Sequence, residues 1–262
     1  MDAPAAAWRA SPDCHLPAAR MNPTIVAFDT STEPWSAAVR VADRLVAYES
    51  DAGLRASARL VPVVLGLLEQ AGIGLREVDA IAFGRGPGAF TGLRTACSVA
   101  QGLALGADKP VLPIDSLLAV AEDARDGQAG PLRVWVVMDA RMEEVYAAQY
   151  GFEHGQWRVL DAPMLARVGV LQAAWEAVPP AWLAGTALEV FGPRLPTFGA
   201  RCTPQARPRA AALLSLAREA WAHGQAVPAE AALPLYVRDQ VALTTAQRDQ
   251  ARAAKALVER VP

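Results

Sequence analysis

The sequence predicts an α/β protein built from two similar α/β halves. Short apolar runs alternate with segments in which leucine and valine recur at helical spacing, as expected for strands that alternate with helices. A pattern also repeats: an apolar run ends in an aspartate and is followed by a turn and a hairpin, at Asp29 and again at Asp139. The turn-rich segment 126–131 lies between the two occurrences and predicts a domain boundary. The open alternative is that an α/β protein has several strands ending in aspartate, without duplication.

The strands and helices of the first half, residues 24–126, are predicted from its pattern of apolar residues. Five short runs predict strands over 24–28, 35–41, 45–49, 78–83 and 110–114. Leucine and valine at helical spacing predict a helix over 56–71, and a second helix is expected over 91–105. Ser116 is expected to cap a third helix, which ends near Arg125.

The second half, residues 127–245, is predicted in the same way. Four segments predict strands, the last of them entering a turn, over 134–138, 144–150, 156–161 and 182–188. A helix is expected over 209–223 and a returning extended segment over 234–241. Residues 1–23 are predicted to be a disordered extension, and residues 246–262 a polar tail.

Composition limits the function classes. The chain has 262 residues and a formal net charge of -2, so it offers no basic surface that could hold nucleic acid by itself. Cysteine and histidine are scattered and predict neither a disulfide framework nor a metal site; they are Cys14, Cys97, Cys202, His15, His154 and His223. No apolar run reaches the ~18 residues that span a membrane, and residues 1–20 lack the apolar core of a signal peptide. We therefore expect a cytoplasmic protein without membrane contact.

The glycine-rich segment from Gly84 to Arg94 is the most informative part of the sequence. It lies between a predicted strand and a predicted helix, where backbone N–H groups and the helix dipole attract anions. It matches neither of the usual nucleotide-loop motifs. It is either a phosphate- or carboxylate-binding loop or a tight turn that binds nothing. The residues of this phosphate-loop-like segment are Gly84, Gly86, Gly88, Thr91, Gly92 and Arg94.

Four blocks of sequence resemble one protein family. They are IVAFDTST over 25–32, the glycine-rich segment through residue 104, MDARMEEVY over 138–146 and PLYVR over 234–238. Together they are similar to the TsaB (YeaZ) family, over about residues 24–245. The glycine-rich block would seldom occur by chance beside the DARMEEVY block.

The resemblance implies a fold and a role. The fold would be the actin-like/sugar kinase/Hsp70-type ATPase fold, with two duplicated α/β halves. The protein would be a non-catalytic scaffold for TsaD, with TsaE as a third partner, in threonylcarbamoylation of the adenosine beside the tRNA anticodon. It would need no cofactor of its own, although nucleotide could bind at the complex interface, and it would meet tRNA only through the complex. Relatives often carry a His-Ser or His-Thr pair where this chain has Ala56-Ser57, and the helix over 56–71 has no histidine for a metal ion.

The resemblance also implies a cleft between the halves, lined by Asp29, Thr30, Asp139 and Arg141. Asp29 could hold a metal-bound water, as in ATP-hydrolysing relatives, or could pin residues 30–32 through hydrogen bonds. Asp139 and Arg141 would form an ion pair that holds the halves in place. The run 184–186 lies where relatives contact adenine, but it has one glycine rather than a pair.

The helices over 56–71 and 91–105 carry apolar residues on more than one face, and surplus apolar surface indicates a partner interface. In the family these helices form a bundle with TsaD, or with a second copy when the protein is alone. The predicted interface residues are Leu60, Val63, Val64, Leu67, Leu68, Val99 and Leu103. The alternative is that these residues pack on the sheet.

A competing hypothesis is an autonomous enzyme of the same fold, either a small-molecule kinase or a peptidase. A kinase would need an aspartate that acts as a general base beside a pocket for the phosphate acceptor, and a site that can bind adenine. A peptidase has little support, because no Ser-His-Asp arrangement or zinc ligand cluster can be placed in the sequence.

Overall fold

The computed structural model describes residues 22–50 and 55–238. The predicted extension up to residue 21 and the predicted tail over 246–262 lie outside the described residues. Within these described ranges, ten strands form two five-stranded sheets, and helices cover both faces of each sheet. None of the helices in the described ranges is long and apolar enough to cross a membrane.

The first sheet forms from the first half of the chain. Its strands are β1 (Ile25–Asp29), β2 (Ser36–Val41), β3 (Arg44–Glu49), β4 (Ala80–Gly86) and β5 (Val111–Asp115). The order is β3-β2-β1-β4-β5. The first three strands form an antiparallel meander, and β4 and β5 continue parallel to β1. The strands therefore occur where the sequence predicts them, with ends shifted by at most three residues.

The second sheet repeats this topology. Its strands are β6 (Leu132–Asp139), β7 (Glu144–Glu153), β8 (Gln156–Arg167), β9 (Trp182–Ala184) and β10 (Arg201–Thr203). The order is β10-β9-β6-β7-β8, with an antiparallel β6-β7-β8 meander and β9 and β10 parallel to β6. Asp29 ends β1 and Asp139 ends β6, the equivalent strand. The predicted duplication is confirmed.

The helices also follow equivalent strands in the two halves. They are α1 (Ala56–Ala71), α2 (Phe90–Ala107), α3 (Ser116–Arg125), α4 (Val168–Ala177), α5 (Ala187–Phe191) and α6 (Ala210–Ala222). The helices α4 and α5 were not predicted. Short 3-10 turns occur at Leu75–Glu77, Gly192–Arg194 and Ala229–Ala231.

The layers follow from the alternation of side chains along each strand. In β1, Val26 and Phe28 pack with α1 and α2, whereas Ile25 and Ala27 pack with α6. On the second sheet, α3 packs against one face, and α4 and α5 against the other. The helix α6 thus belongs to the second half in sequence but packs on the first sheet. The segment 126–131 separates the sheets, but it does not separate two self-contained cores.

Candidate functional site

The glycines of the 84–94 segment let two loops approach each other closely. A Cβ at Gly84 would overlap the carboxylate of Asp29, and a Cβ at Gly92 would overlap the carbonyl oxygen of Thr30. A Cβ at Gly88 would meet Ser31 in the same way. Of the glycines in this segment only Gly86 has a positive φ, of 110°. Close packing, more than unusual backbone angles, therefore explains the glycines.

Backbone groups of the 84–94 segment form hydrogen bonds with three other parts of the chain. The N–H of Gly86 donates to Ser116 Oγ at 3.1 Å, and the N–H of Ala89 donates to the carbonyl of Ser31 at 2.8 Å. The N–H of Leu235 donates to the carbonyl of Arg85 at 2.7 Å. These contacts form a packed junction between β1, β4 and the last described segment of the chain. The phosphate-binding role of the segment stays a prediction.

Asp29 is buried under this junction. Its Oδ1 accepts from the N–H and the Oγ of Ser31, at 2.6 and 2.5 Å, and its Oδ2 accepts from Ser116 Oγ at 2.6 Å. Ser116 was expected to cap α3, and this is wrong: Asp115 is the N-cap residue, with no side-chain cap, and the Ser116 hydroxyl is held by Asp29 instead. Of residues 30–32, only Ser31 is pinned by Asp29, while Thr30 Oγ1 donates to the carbonyl of Gly92 at 2.7 Å.

Burial raises the pKa of Asp29 from the usual 3.8, although hydrogen bonds from Ser116 and Ser31 oppose the rise. A carboxyl whose pKa is raised by folding stabilises the fold most at low pH, and this contribution is lost as the pH rises through the folded pKa.

We expect the stability of the wild type relative to Asp29→Asn to fall with rising pH. The fall should reach at most about 1.4 kcal/mol per pH unit between the unfolded and the folded pKa of Asp29. Urea unfolding of both proteins from about pH 4 to about pH 8 measures this difference. A difference that increases with pH would contradict the raised pKa.

A cavity of about 490 Å³ lies in the cleft between the two halves. Ser31, Gly88 and Phe90 line it from the first half, and Asp139 and Arg141 line it from the second. The segment 235–238 completes its wall. We call this space the cleft cavity.

The predicted cleft residues Asp29 and Thr30 do not line the cleft cavity, because both are buried beneath it. The predicted loop residues are also spread out: Gly84 and Gly86 are buried, and Gly88 alone of the six lines the cavity. Thr91 and Arg94 lie at a separate open groove between the beginnings of α1 and α2. The structure therefore does not bring the predicted phosphate-loop residues together on one surface.

Asp139 and Arg141 do form a pair, but it is local. The Arg141 N–H donates to Asp139 Oδ1 at 2.9 Å, and its guanidinium lies 3.4 Å from Oδ2 while remaining 88% exposed. An exposed pair two residues apart contributes little stability and does not join the halves, contrary to the expectation. The segment 235–238 joins the halves near the cleft. The N–H of Leu235 donates to the carbonyl of Arg85 in the first half, whereas Arg238 pairs with Glu144 at 2.8 Å and donates to the carbonyl of Ala140 in the second.

No cluster of three or more histidine, cysteine, aspartate or glutamate side chains that could hold a metal ion occurs within residues 22–50 and 55–238. Aromatic contacts lie beside the cleft cavity instead. The Phe90 and Tyr236 rings are 5.4 Å apart, and the Arg94 guanidinium lies over Phe90 at 3.9 Å. Sequence reasoning missed Tyr236, although it stands within the PLYVR block.

The predicted partner interface needs a correction. Four of its residues are buried in the core between α1 and the first sheet, and therefore do not face outward: Leu60, Val64, Leu67 and Leu68. Their spacing forms one helical stripe, and this stripe seats α1 on the sheet. The other three predicted residues are partly buried and pack against the same core: Val63, Val99 and Leu103.

The outward faces of α1 and α2 carry apolar side chains that sequence reasoning did not select. Val61 is 38% exposed, Leu65 is 46% exposed and Leu105 is 70% exposed. The i, i+4 spacing of Val61 and Leu65 could have shown that they share a face. We call the outward surface formed by Val61, Leu65 and Leu105 the outer helix face.

Comparisons with known proteins agree with the sequence resemblance. Residues 50–173 match the sequence model of a family described as "TsaD: tRNA N6-adenosine threonylcarbamoyltransferase". The tRNA threonylcarbamoyladenosine biosynthesis protein TsaB of Escherichia coli (strain K12) is 32% identical over 226 residues, which are 83% of this chain and 96% of that protein. The protein of the same name from Haemophilus influenzae is 44% identical over 128 residues, 49% of this chain and 54% of that protein.

The solved structure of YeaZ from Pseudomonas aeruginosa superposes with a TM-score of 0.74 at 40% identity, covering 82% of this chain and all of that one. The predicted fold class, two duplicated α/β halves of the actin-like/sugar kinase/Hsp70 type, is confirmed by this superposition and by the repeated strand order. The similarity extends over nearly the whole of the Escherichia coli protein and the whole of the solved structure. On this evidence the chain belongs to the TsaB (YeaZ) family.

Proposed function

We propose that this chain is an accessory subunit in the biosynthesis of threonylcarbamoyladenosine in tRNA. In this role it binds TsaD, with TsaE as a further partner, and TsaD transfers the threonylcarbamoyl group to the adenosine beside the anticodon. The chain itself is a scaffold and not the catalyst. The names of its TsaB relatives support the pathway, and the TsaD-type match over residues 50–173 supports descent from a common ancestor with TsaD.

The observation that carries the proposal is the outer helix face. Its apolar side chains lie on two adjacent helices that cover the same side of the first sheet. Exposed apolar side chains on two adjacent helices are typical of a site that packs against helices of another subunit. The same face would pair with a second copy of the chain when no partner is present.

Helix glycines support close approach at this face. At Gly66 in α1 and at Gly102 and Gly106 in α2, a Cβ would have no described atom within 4 Å apart from the chain neighbours and the adjacent backbone of its own helix. Each glycine costs about 1 kcal/mol relative to alanine in a helix. Nothing inside the subunit requires them, whereas a partner helix that approaches closely would.

The net charge of the chain argues against direct binding of tRNA. With a formal net charge of -2 it has little attraction for a polyanion, so tRNA would be reached through the complex. We propose a cytoplasmic location, no cofactor of the chain's own, and room for nucleotide only at the complex interface.

Replacing Leu65 by aspartate tests the interface. Losing one buried leucine weakens association by about 1.5–3 kcal/mol, and the buried charge adds to the loss. We therefore expect Leu65→Asp to remain folded but to lose co-elution with TsaD and self-association together. Size-exclusion chromatography and circular dichroism measure both properties.

Val170→Asp is the matched control, because Val170 is 62% exposed on α4, away from the outer helix face. It should bind TsaD as the wild type does. In assays of tRNA modification, TsaD should need the wild type or Val170→Asp, and the chain without TsaD should give no product. If Leu65→Asp and Val170→Asp bind TsaD equally well, the interface lies elsewhere.

A further inference from the structure

The chain returns from the second sheet to the first through residues 204–209, which we call the crossover segment. It follows β10, at the edge of the second sheet, and leads into α6, which packs on the first sheet. The first N–H of α6, that of Ala210, donates to the buried Ser36 Oγ on β2 at 2.8 Å. The end of the crossover segment therefore sets where α6 begins on the first sheet.

Two arginines of the crossover segment contact one carboxylate of the first half. Arg207 Nη1 lies 3.4 Å from Glu49 Oε1, and Arg209 Nε lies 3.2 Å from Glu49 Oε2. Glu49 is the last residue of β3, an edge strand of the first sheet. Both oxygens of this carboxylate therefore accept from cations of the crossover segment.

The same arginines are also connected to helices that pack on the second sheet. Arg209 Nη1 pairs with Asp123 on α3, and the N–H of Arg207 donates to the same carboxylate oxygen at 3.1 Å. Gln205 accepts from Arg207 Nη2 at 3.4 Å and donates to Glu189 on α5. The arginines thus connect the edge of the first sheet to the helix layers of the second. We call the four charged side chains the ion cluster: Glu49, Asp123, Arg207 and Arg209.

The ion cluster contributes little to the overall stability of the fold. Burial raises the pKa of Asp123 from the usual 3.8, although the N–H of Arg207 and the charge of Arg209 oppose the rise. The Nε of Arg207 is buried without a hydrogen-bond partner among the described residues. Ion pairs that lose water without full compensation add little to the free energy of unfolding, but they can fix which groups lie together. We therefore look for the effect of the cluster in the position of the crossover segment.

We propose that the ion cluster is a latch that keeps the crossover segment closed on the first sheet. With the latch closed, Ala210 is held against Ser36 and α6 begins at a fixed place. When one acceptor is lost, the arginines turn toward water and the crossover segment opens locally, while both sheets stay folded. This conformational device goes beyond the scaffold role and does not depend on it.

Hydrogen exchange of single amides, measured by NMR on the full chain, tests the latch with Glu49→Gln. Glutamine keeps the shape of glutamate but has one acceptor oxygen instead of two, and its NH₂ group would face the second guanidinium. We expect the amides of Arg207 and Ala210 to exchange about three- to tenfold faster than in the wild type, as for the loss of one or two partly exposed ion pairs. Amides of β1 should exchange at the wild-type rate, because only the crossover segment opens.

Glu143→Gln is the matched control. Glu143 pairs with Arg194 at 2.5 Å, so the substitution removes one charge from an exposed ion pair that includes no residue of the crossover segment. It should leave exchange at Arg207 and Ala210 unchanged. Equal rates at these amides in Glu49→Gln and Glu143→Gln would overturn the proposal. Exchange that is faster in β1 by the same factor as at Ala210 would overturn it too, because the ion cluster would then stabilise the whole fold.

If Glu49→Gln does not fold, Arg209→Gln takes its place. This variant removes the guanidinium that contacts both carboxylates of the ion cluster. It should give the same local increase in exchange at Ala210, and a wild-type rate there would count against the latch. No partner protein is present in these measurements, so their failure leaves the scaffold role unaffected.

Discussion

Replacing Val64 by aspartate is expected to unfold the chain. Val64 is fully buried between α1 and the first sheet, in the core that also contains Phe28 and Phe83. The change removes about 1.5–3 kcal/mol of apolar burial and places an unpaired charge in an apolar core. Together these costs approach the about 5–15 kcal/mol by which domains are stable. Circular dichroism and urea unfolding should show loss of the cooperative transition.

Leu65 lies one residue further along α1, on the outer helix face, and provides the control for this experiment. The same substitution there should leave the free energy of unfolding, measured in urea, within about 0.5 kcal/mol of the wild-type value. If Val64→Asp is as stable as Leu65→Asp, then Val64, Leu67 and Leu68 do not seat α1 on the sheet.

Substituting alanine for Gly84 should have the second largest effect. The added Cβ would overlap the Asp29 carboxylate and come within 2.9 Å of Ser116 Oγ, and both of these side chains are buried and hydrogen-bonded to each other. Overpacking a close-packed site costs about 1–3 kcal/mol and occasionally more, and we expect Gly84→Ala to reach the upper part of that range. Urea unfolding measures the loss.

Gly102→Ala is the matched change, because the same methyl group there meets no described atom within 4 Å apart from its chain neighbours and the adjacent backbone of α2. In the isolated protein it should raise stability by up to about 1 kcal/mol, since alanine is the better helix former. Equal losses at the two positions would mean that the contact with Asp29 is not what requires glycine at Gly84.

Much of the fold could be predicted from the sequence because its longer elements have a clear period. The predicted bounds of α1 match the structure, and the paired aspartates Asp29 and Asp139 correctly indicated a duplication. The short elements α5 and β10 were missed. They have five and three residues, which are too few to show a helical or strand period. Their structure depends on tertiary contacts, such as the parallel pairing of β10 with β9.

The candidate site was harder to predict because it also depends on tertiary contacts. Val64 and Leu65 are adjacent and both apolar, so a helix that is apolar on several sides does not reveal which side meets the sheet. Ser116 fits a helix cap by its position, but its hydroxyl instead meets a buried carboxylate from a strand 87 residues away. Tyr146 looks like an ordinary strand residue until the cavity that it lines is known.

The packing of α6 on the first sheet has a consequence for synthesis of the chain on the ribosome. The face of β1 that carries Ile25 and Ala27 is covered by a helix whose residues, 210–222, are made long after the last strand of that sheet. Until they emerge, one side of an already complete five-stranded sheet exposes apolar side chains. Such contacts between distant parts of a chain slow folding and expose intermediates to aggregation. A nascent or truncated chain that ends before α6 should therefore depend on chaperones far more than the finished protein.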